Sequence, residues 1–344
     1  MGRGAGAVLG WLTVMLMAAA ALRAEEWSGR MLLLEAEDGT ARPPVVSAVA
    51  LHPLGKVVAI AGDDHRVRIL DLKTGKVLQR WAAHGDWVRA LAYAPSGKLL
   101  ASAGNDGRIL VWDASSGRVV TELAKLNQTI TAIAFSRDGG LLASIGFDDD
   151  LHVFDVSGRR QIRQLKCPCH DMRALAYSSN MSLLASAGRN GIVRLWDAEK
   201  GQVLQEITAH RQRVWGLAFS PDNQCVASCA EDGLIRVTRL DGQGDFTLES
   251  PGTKVMSLAF CGPDRLATGG SDNLIRIWDL KQRVKIAELA GHTGSVVSLA
   301  YGGNVLISAG YDTTVRVWAT DGELAKEPAA AQDRVGSRWE PRPK

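Results

Sequence analysis

A chain of 344 residues has room for two ordinary domains or one large all-β domain. Its 46% apolar and 22% charged residues support a substantial buried core and exclude wholesale disorder. A formal charge of +3 gives nucleic-acid binding no electrostatic support, and five cysteines are too few for a disulfide-built scaffold.

Residues 1–24 place Arg3 before an apolar stretch from Ala5 to Leu22, after which the chain turns polar at Arg23, Glu25 and Glu26. That order is the pattern of a secretory signal peptide, with Ala21 or Ala24 preceding the cut. A run of roughly 17 to 18 apolar residues also sits at the lower limit for a bilayer-spanning helix, so an uncleaved membrane anchor is the alternative. Either reading predicts an exported protein, periplasmic or secreted, with membrane association only through this segment.

Next comes Ser28-Gly-Arg-Met-Leu-Leu-Leu-Glu35, a strand pattern with no partner strands beside it in sequence. From there the chain keeps time. The stretches RVRILD, RILVWD, LHVFDV, IVRLWD, LIRVTR, LIRIWD and TVRVWA share an alternating pattern and align Leu70, Trp112, Phe154, Trp196, Thr238, Trp278 and Trp318. Each unit opens with a small-residue strand such as Ala90 to Tyr93, turns at a segment such as Pro95-Ser-Gly97, and continues through Leu99 to Ala103 and the tryptophan-ending strand. A fourth strand follows in segments such as GKVLQRW and GQVLQEI.

A four-stranded sheet with two apolar faces cannot bury both alone, so successive units must stack. Radial stacking gives an all-β, seven-bladed β-propeller of four-stranded antiparallel sheets over residues 28–320. Ser28 to Glu35 resembles the fourth-strand pattern of Ser116 to Glu122. It is expected to complete the last blade beside Thr314 to Thr320, closing the ring with an N-terminal strand and removing two open edges. Residues 321–344 lack a strand pattern and read as a flexible tail.

At these residues the chain resembles the WD40 repeat family, whose blades carry a buried tetrad of His, Ser or Thr, Asp and Trp. Carried over position by position, the resemblance implies full tetrads at His84, Ser102, Asp106 and Trp112 and at His292, Ser308, Asp312 and Trp318. It implies partial sets at His210, Ser228 and Asp232, and at Thr268, Asp272 and Trp278, where Pro251 stands for the histidine. These histidines are then structural, and no residue is assigned a catalytic role.

Other clusters have weaker readings. Cys167-Pro-Cys-His170 offers thiols and an imidazole to a soft metal or a disulfide, which makes a metal-linked or redox accessory protein the alternative function. Cys225 and Cys229 lie too far apart along one strand to bond, whereas a Cys225 to Cys261 bridge between blades is open to test. Asp148-Asp-Asp150 is one short turn, too few oxygens for calcium. The expectation is no metal, no cofactor and no enzyme activity.

Propellers of the WD40 kind commonly bind partners on the face carrying the loops that lead into each blade. By this resemblance, the partner-binding residues are Trp87, Arg89, Phe147, Arg173, Arg189, Arg213, Trp215 and Tyr311, types enriched at interface hot spots. An acidic or extended peptide suits that set. The chain therefore reads as a monomeric protein-interaction scaffold, with a small-molecule or glycan-binding propeller as a further alternative.

Overall fold

The computed structural model describes residues 27–32, 34, 42–82, 84–167 and 171–319. The expected leader over 1–24 and tail over 321–344 lie outside the described residues. Within them the chain forms 28 strands in seven four-stranded antiparallel sheets. Six sheets follow chain order. Blade 1, for example, takes Val46–Leu51, Val57–Gly62, Arg66–Asp71 and Val77–Ala82 from the axis outward.

The burial pattern shows why these segments are strands of stacked sheets. The second strand of each blade, such as Leu99–Gly104, is buried at nearly every position because both of its faces meet a neighbouring blade. Exposed positions concentrate in the outermost strands, such as Val77–Ala82, where one face meets solvent. The innermost strands contact one another in sequence around the axis, and the last, Val296–Gly302, packs against the first, Val46–Leu51, so the ring is closed.

The seventh sheet breaks chain order. Its outer strand is Ser28–Leu32, which pairs antiparallel with Val315–Ala319 in the register Ser28 to Ala319 and Leu32 to Val315. Leu32 is only 2% exposed and packs among Leu70, Ile307, Val315 and Val317, bridging blades 7 and 1. Gly29 sits opposite Trp318, where an added Cβ would lie 2.5 Å from the indole ring. Only glycine lets this strand lie flat on that tryptophan.

One irregularity recurs in every blade. The pairing of first and second strands slips between Val46 and Ala48, Val88 and Ala90, Ile130 and Ala132, Met172 and Ala174, Val214 and Gly216, Val255 and Ser257, and Val296 and Ser298. Each slip is a β-bulge, which leaves one residue unpaired and re-aims its side chain. The bulged residues are Ser47, Arg89, Thr131, Arg173, Trp215, Met256 and Val297. Two of them also stitch blades together: Ser47 Oγ donates to the Val88 carbonyl at 2.6 Å, and Thr131 Oγ1 donates to that of Met172 at 2.5 Å.

Candidate functional site: the mouth of the central channel

Half-buried aspartates fix the loops of the face that carries the channel mouth. In blade 2, His84 Nδ1 lies 2.9 Å from Asp106 and its Nε2 lies 2.8 Å from Ser102 Oγ, which also accepts from Trp112 Nε1 at 2.9 Å. A carboxylate only accepts, so Nδ1 carries the proton and the serine hydroxyl donates to Nε2. Asp106 further accepts from the backbone N–H of Gly85 and Arg108, tying the loop into the blade to the turn before the tryptophan strand. Blade 7 repeats the arrangement with His292, Asp312, Ser308 and Trp318 at 2.7 to 2.9 Å. Blade 5 keeps His210, Ser228 and Asp232 without a tryptophan.

In three of the blades that lack the histidine, another basic side chain takes its place. Asp64 pairs with Arg68, Asp148 with His152 at 3.0 Å, and Asp272 with Arg276 through two bonds, the nearer 2.5 Å. In all three blades this basic side chain stands four residues after the aspartate, on the tryptophan strand. This predicts a contrast. Arg276→Leu leaves Asp272 half-buried without its cation and is expected to cost about 1–3 kcal/mol. Arg236→Leu, in the blade where His210 already holds Asp232, is expected to cost under about 0.5 kcal/mol. Urea unfolding of both variants checks this, and equal losses would refute the replacement rule.

The tetrads also set an acid response. Burial holds the His84 and His210 imidazoles below their ordinary value of 6.5, despite their aspartate partners. Asp106 and Asp312 are pushed up by burial, but their hydrogen bonds outweigh it and leave both below 3.8. Below pH 6.5 the unfolded histidines bind protons that the folded ones refuse. Below 3.8 the unfolded carboxylates do the same. Stability is therefore expected to fall with pH in two stages, first under about 6.5 and then under about 4. A thermal midpoint that stays level from pH 7 to 5 would contradict the histidine stage.

Counting back from the first strand misplaced one tetrad position. The Ser250 N–H donates to the Gly233 carbonyl as the His84 N–H does to that of His65, so Ser250, not Pro251, fills the histidine position of blade 6. By the same bond Cys167 fills it in blade 4, its N–H donating to the Asp149 carbonyl. Both blades have one extra residue between this position and the first strand, which shifts the count. Cys167 is fully buried, with its Sγ 3.8 Å from Ser186 Oγ and 3.6 Å from Arg194 Nη1.

The seven bulges converge at the axis. Ser47, Arg89, Thr131, Arg173, Trp215, Met256 and Val297, with Tyr311, line a cavity of about 130 Å³ at the mouth of the channel. Because the blades run in chain order, the wall is divided. Ser47, Arg89, Thr131 and Arg173 occupy blades 1 to 4, and Trp215, Met256 and Val297 occupy blades 5 to 7.

Aromatic and charged groups hold the arginines in place. Arg89 lies 4.5 Å over the Trp87 ring and donates through Nε to Asn105 Oδ1 at 2.9 Å. Arg173 sits between Phe147 and Trp215, 4.7 and 5.1 Å from their ring centres. Asp171 bonds both Arg173 at 2.5 Å and Arg213 at 2.7 Å, and Glu231 accepts from Trp215 Nε1 at 3.2 Å. Arg89 has no carboxylate within ion-pair distance among the described residues. Burial lowers its affinity for its proton and the nearby Arg173 charge adds to this, while Tyr311 and Asp86 oppose it.

Of the residues singled out in the sequence, Arg89, Arg173, Trp215 and Tyr311 line the cavity, and Trp87, Phe147 and Arg213 pack against them. Phe147 and Tyr311 are each 44% exposed, open to a partner. Arg189 is exposed and no described contact brings it to this group. Ser47, Thr131 and Val297 were missed. Their signal was positional: each is the second residue of its blade's first strand.

Comparison with known proteins decides the family. The profile of the IFT122 first β-propeller matches residues 45–284 and, in a second placement, 105–338. The chain belongs to this family of WD40 β-propellers. Among curated relatives it is similar to the protein transport protein sec13 of Emericella nidulans, 40% identical over 82 residues, covering 21% of this chain and 26% of that protein. It is also similar to mitochondrial division protein 1 of Schizosaccharomyces pombe, 30% identical over 84 residues, 24% of this chain and 13% of that one. The anaphase-promoting complex subunit cdh1 of Dictyostelium discoideum is 41% identical over 54 residues, 16% of this chain and 7% of that protein. The chain thus spans about a quarter or less of each of these relatives.

The remaining clusters of this WD40 propeller have structural partners. Asp148 pairs with His152, and Asp150 accepts from Lys166 at 3.0 Å and Gln164 at 2.5 Å, although donor atoms of the three residues lie within 4.8 Å of one another. Cys225, Cys229 and Cys261 are free buried thiols, so the bridge considered between Cys225 and Cys261 is absent. Burial pushes the Cys261 thiol up to about 12, which leaves it unreactive. Cys167 is disulfide-bonded, and Pro168 to His170 lie outside the described residues. No helix among the described residues is long and apolar enough to cross a membrane.

Proposed function

We propose that this WD40 propeller is a non-enzymatic scaffold, acting outside the cytoplasm, that holds an acidic, extended segment of a partner protein across the channel mouth. The observation that carries the reading is the arginine and aromatic cluster of Arg89, Trp87, Arg173, Phe147 and Trp215, fixed by aspartate-tied loops and open at Phe147 and Tyr311. Aromatic and arginine side chains of this kind dominate binding energy at protein interfaces. Relatives named for protein transport, mitochondrial division and an anaphase-promoting complex support a role in assemblies. Export is supported by the basic, apolar and polar order of residues 1–24 and by the Cys167 disulfide, a state typical of oxidising compartments.

The test is proximity labelling in the native cell with the full chain and its Arg213→Ala, Trp215→Ala double variant. The double variant is expected to lose most partner labelling while its thermal midpoint falls by only a few degrees, because both side chains are half-exposed. Unchanged labelling would refute the docking face. Recovery of the chain in the cytoplasmic fraction with residues 1–24 intact would refute export.

A further inference from the structure

Resting on that docking face, we propose that the cavity at the channel mouth receives the C-terminal residue of the partner, its free carboxylate between Arg89 and Arg173 and its apolar side chain against Trp215, Met256 and Val297. The division of the wall is the first reason. Two cations and two hydroxyl-bearing residues occupy four consecutive blades, and the other three supply the apolar side chains of Trp215, Met256 and Val297, with Tyr311 of blade 7 adding a ring and one hydroxyl. A ligand that satisfies both halves carries an anion and an apolar group close together.

The electrostatics place the anion. Arg89 and Arg173 flank Thr131, from the blade between them. Asp171 compensates Arg173, whereas Arg89 makes no ion pair among the described residues and, although Tyr311 and Asp86 partly offset it, feels the charge of Arg173 while partly removed from water. Two like charges held together in a partly buried site are unfavourable, and an anion between them removes the cost. Arginine also offers a planar pair of donors suited to a carboxylate.

Size and connectivity choose the carboxylate. A cavity of about 130 Å³ is far smaller than the several hundred Å³ of a typical small-molecule pocket, so it suits one residue rather than a whole ligand. An internal aspartate or glutamate presents its carboxylate at the tip of the side chain and offers nothing to the apolar wall. A terminal residue bears its carboxylate and its apolar side chain on the same Cα, which matches the two halves of the ring.

The test uses the full chain and two degenerate fluorescent decapeptide pools, both ending in leucine, isoleucine, valine or phenylalanine. One has free C-terminal carboxylates and the other carboxamides. Polarisation titration is expected to show the acid pool binding at least tenfold more tightly. Arg89→Gln and Arg173→Gln should each bring that ratio close to one, with thermal midpoints showing that both variants fold. If both pools bind equally and both are lost in the Arg213→Ala, Trp215→Ala variant, the docking face stands and the terminal-carboxylate proposal falls. If neither pool binds, the proposal falls as well. Displacement of the acid pool by hexanoate at the peptides' own concentrations would also overturn it, because the site would then recognise a free amphiphilic acid.

Discussion

Leu32→Asp is expected to lower the thermal midpoint by roughly 10 °C, a loss of about 4–5 kcal/mol. The side chain is 2% exposed and packs between the last and first blades, among Leu70, Ile307, Val315 and Val317. The substitution removes that packing and places a carboxylate among the apolar side chains of this cluster, two losses of the kind that produce the largest single-residue effects. The damage should begin locally. Hydrogen exchange is expected to accelerate first at Val315–Ala319, which would lose its outer partner, before it does at Ile130–Phe135 in blade 3. Exchange that rises equally in both strands would show that Ser28–Leu32 is not a separately opening element.

The second large effect is expected at Trp112. Its ring stacks on Trp81 of the preceding blade at 5.3 Å and 25°, its Nε1 donates to Ser102, and it is 2% exposed. Trp112→Ala should cost about 3–5 kcal/mol by leaving a cavity between two blades. Trp112→Phe separates ring from hydrogen bond. It keeps an aromatic surface, as Phe154 does at the equivalent place in blade 3, but leaves Ser102 without that donor, for a loss of about 1–2 kcal/mol. Calorimetry on both variants decides, and equal losses would mean that the N–H, not the stacked ring, carries the stabilisation.

The seven sheets of four strands were legible because the tryptophan-strand position recurs every 40 to 42 residues and alternating apolar residues mark each strand. Four of the residues proposed for docking on family resemblance, Arg89, Arg173, Trp215 and Tyr311, come together at the channel mouth. What stayed hidden has a common physical origin, since it depends on pairing between strands. A bulge is a slip in register between two strands, and nothing local to Ser47, Thr131 or Val297 announces one. Ser250 was passed over for Pro251 because one added loop residue defeats counting along the chain. The replacement of histidine by a cation four residues after the aspartate was present in Asp64 and Arg68, and again in Asp272 and Arg276. It means something only once the strand brings the two side chains together.

The outer strand of the final blade consists of the earliest described residues, and this governs the order in which the molecule can be finished. Ser28 must wait for Ala319, so almost the whole chain has to be available before the ring locks. Contacts this distant in sequence make completion slow. For a polypeptide made from its N-terminus, such a clasp postpones the closed ring until synthesis is nearly over, because the first half of the lock waits for the second to be made.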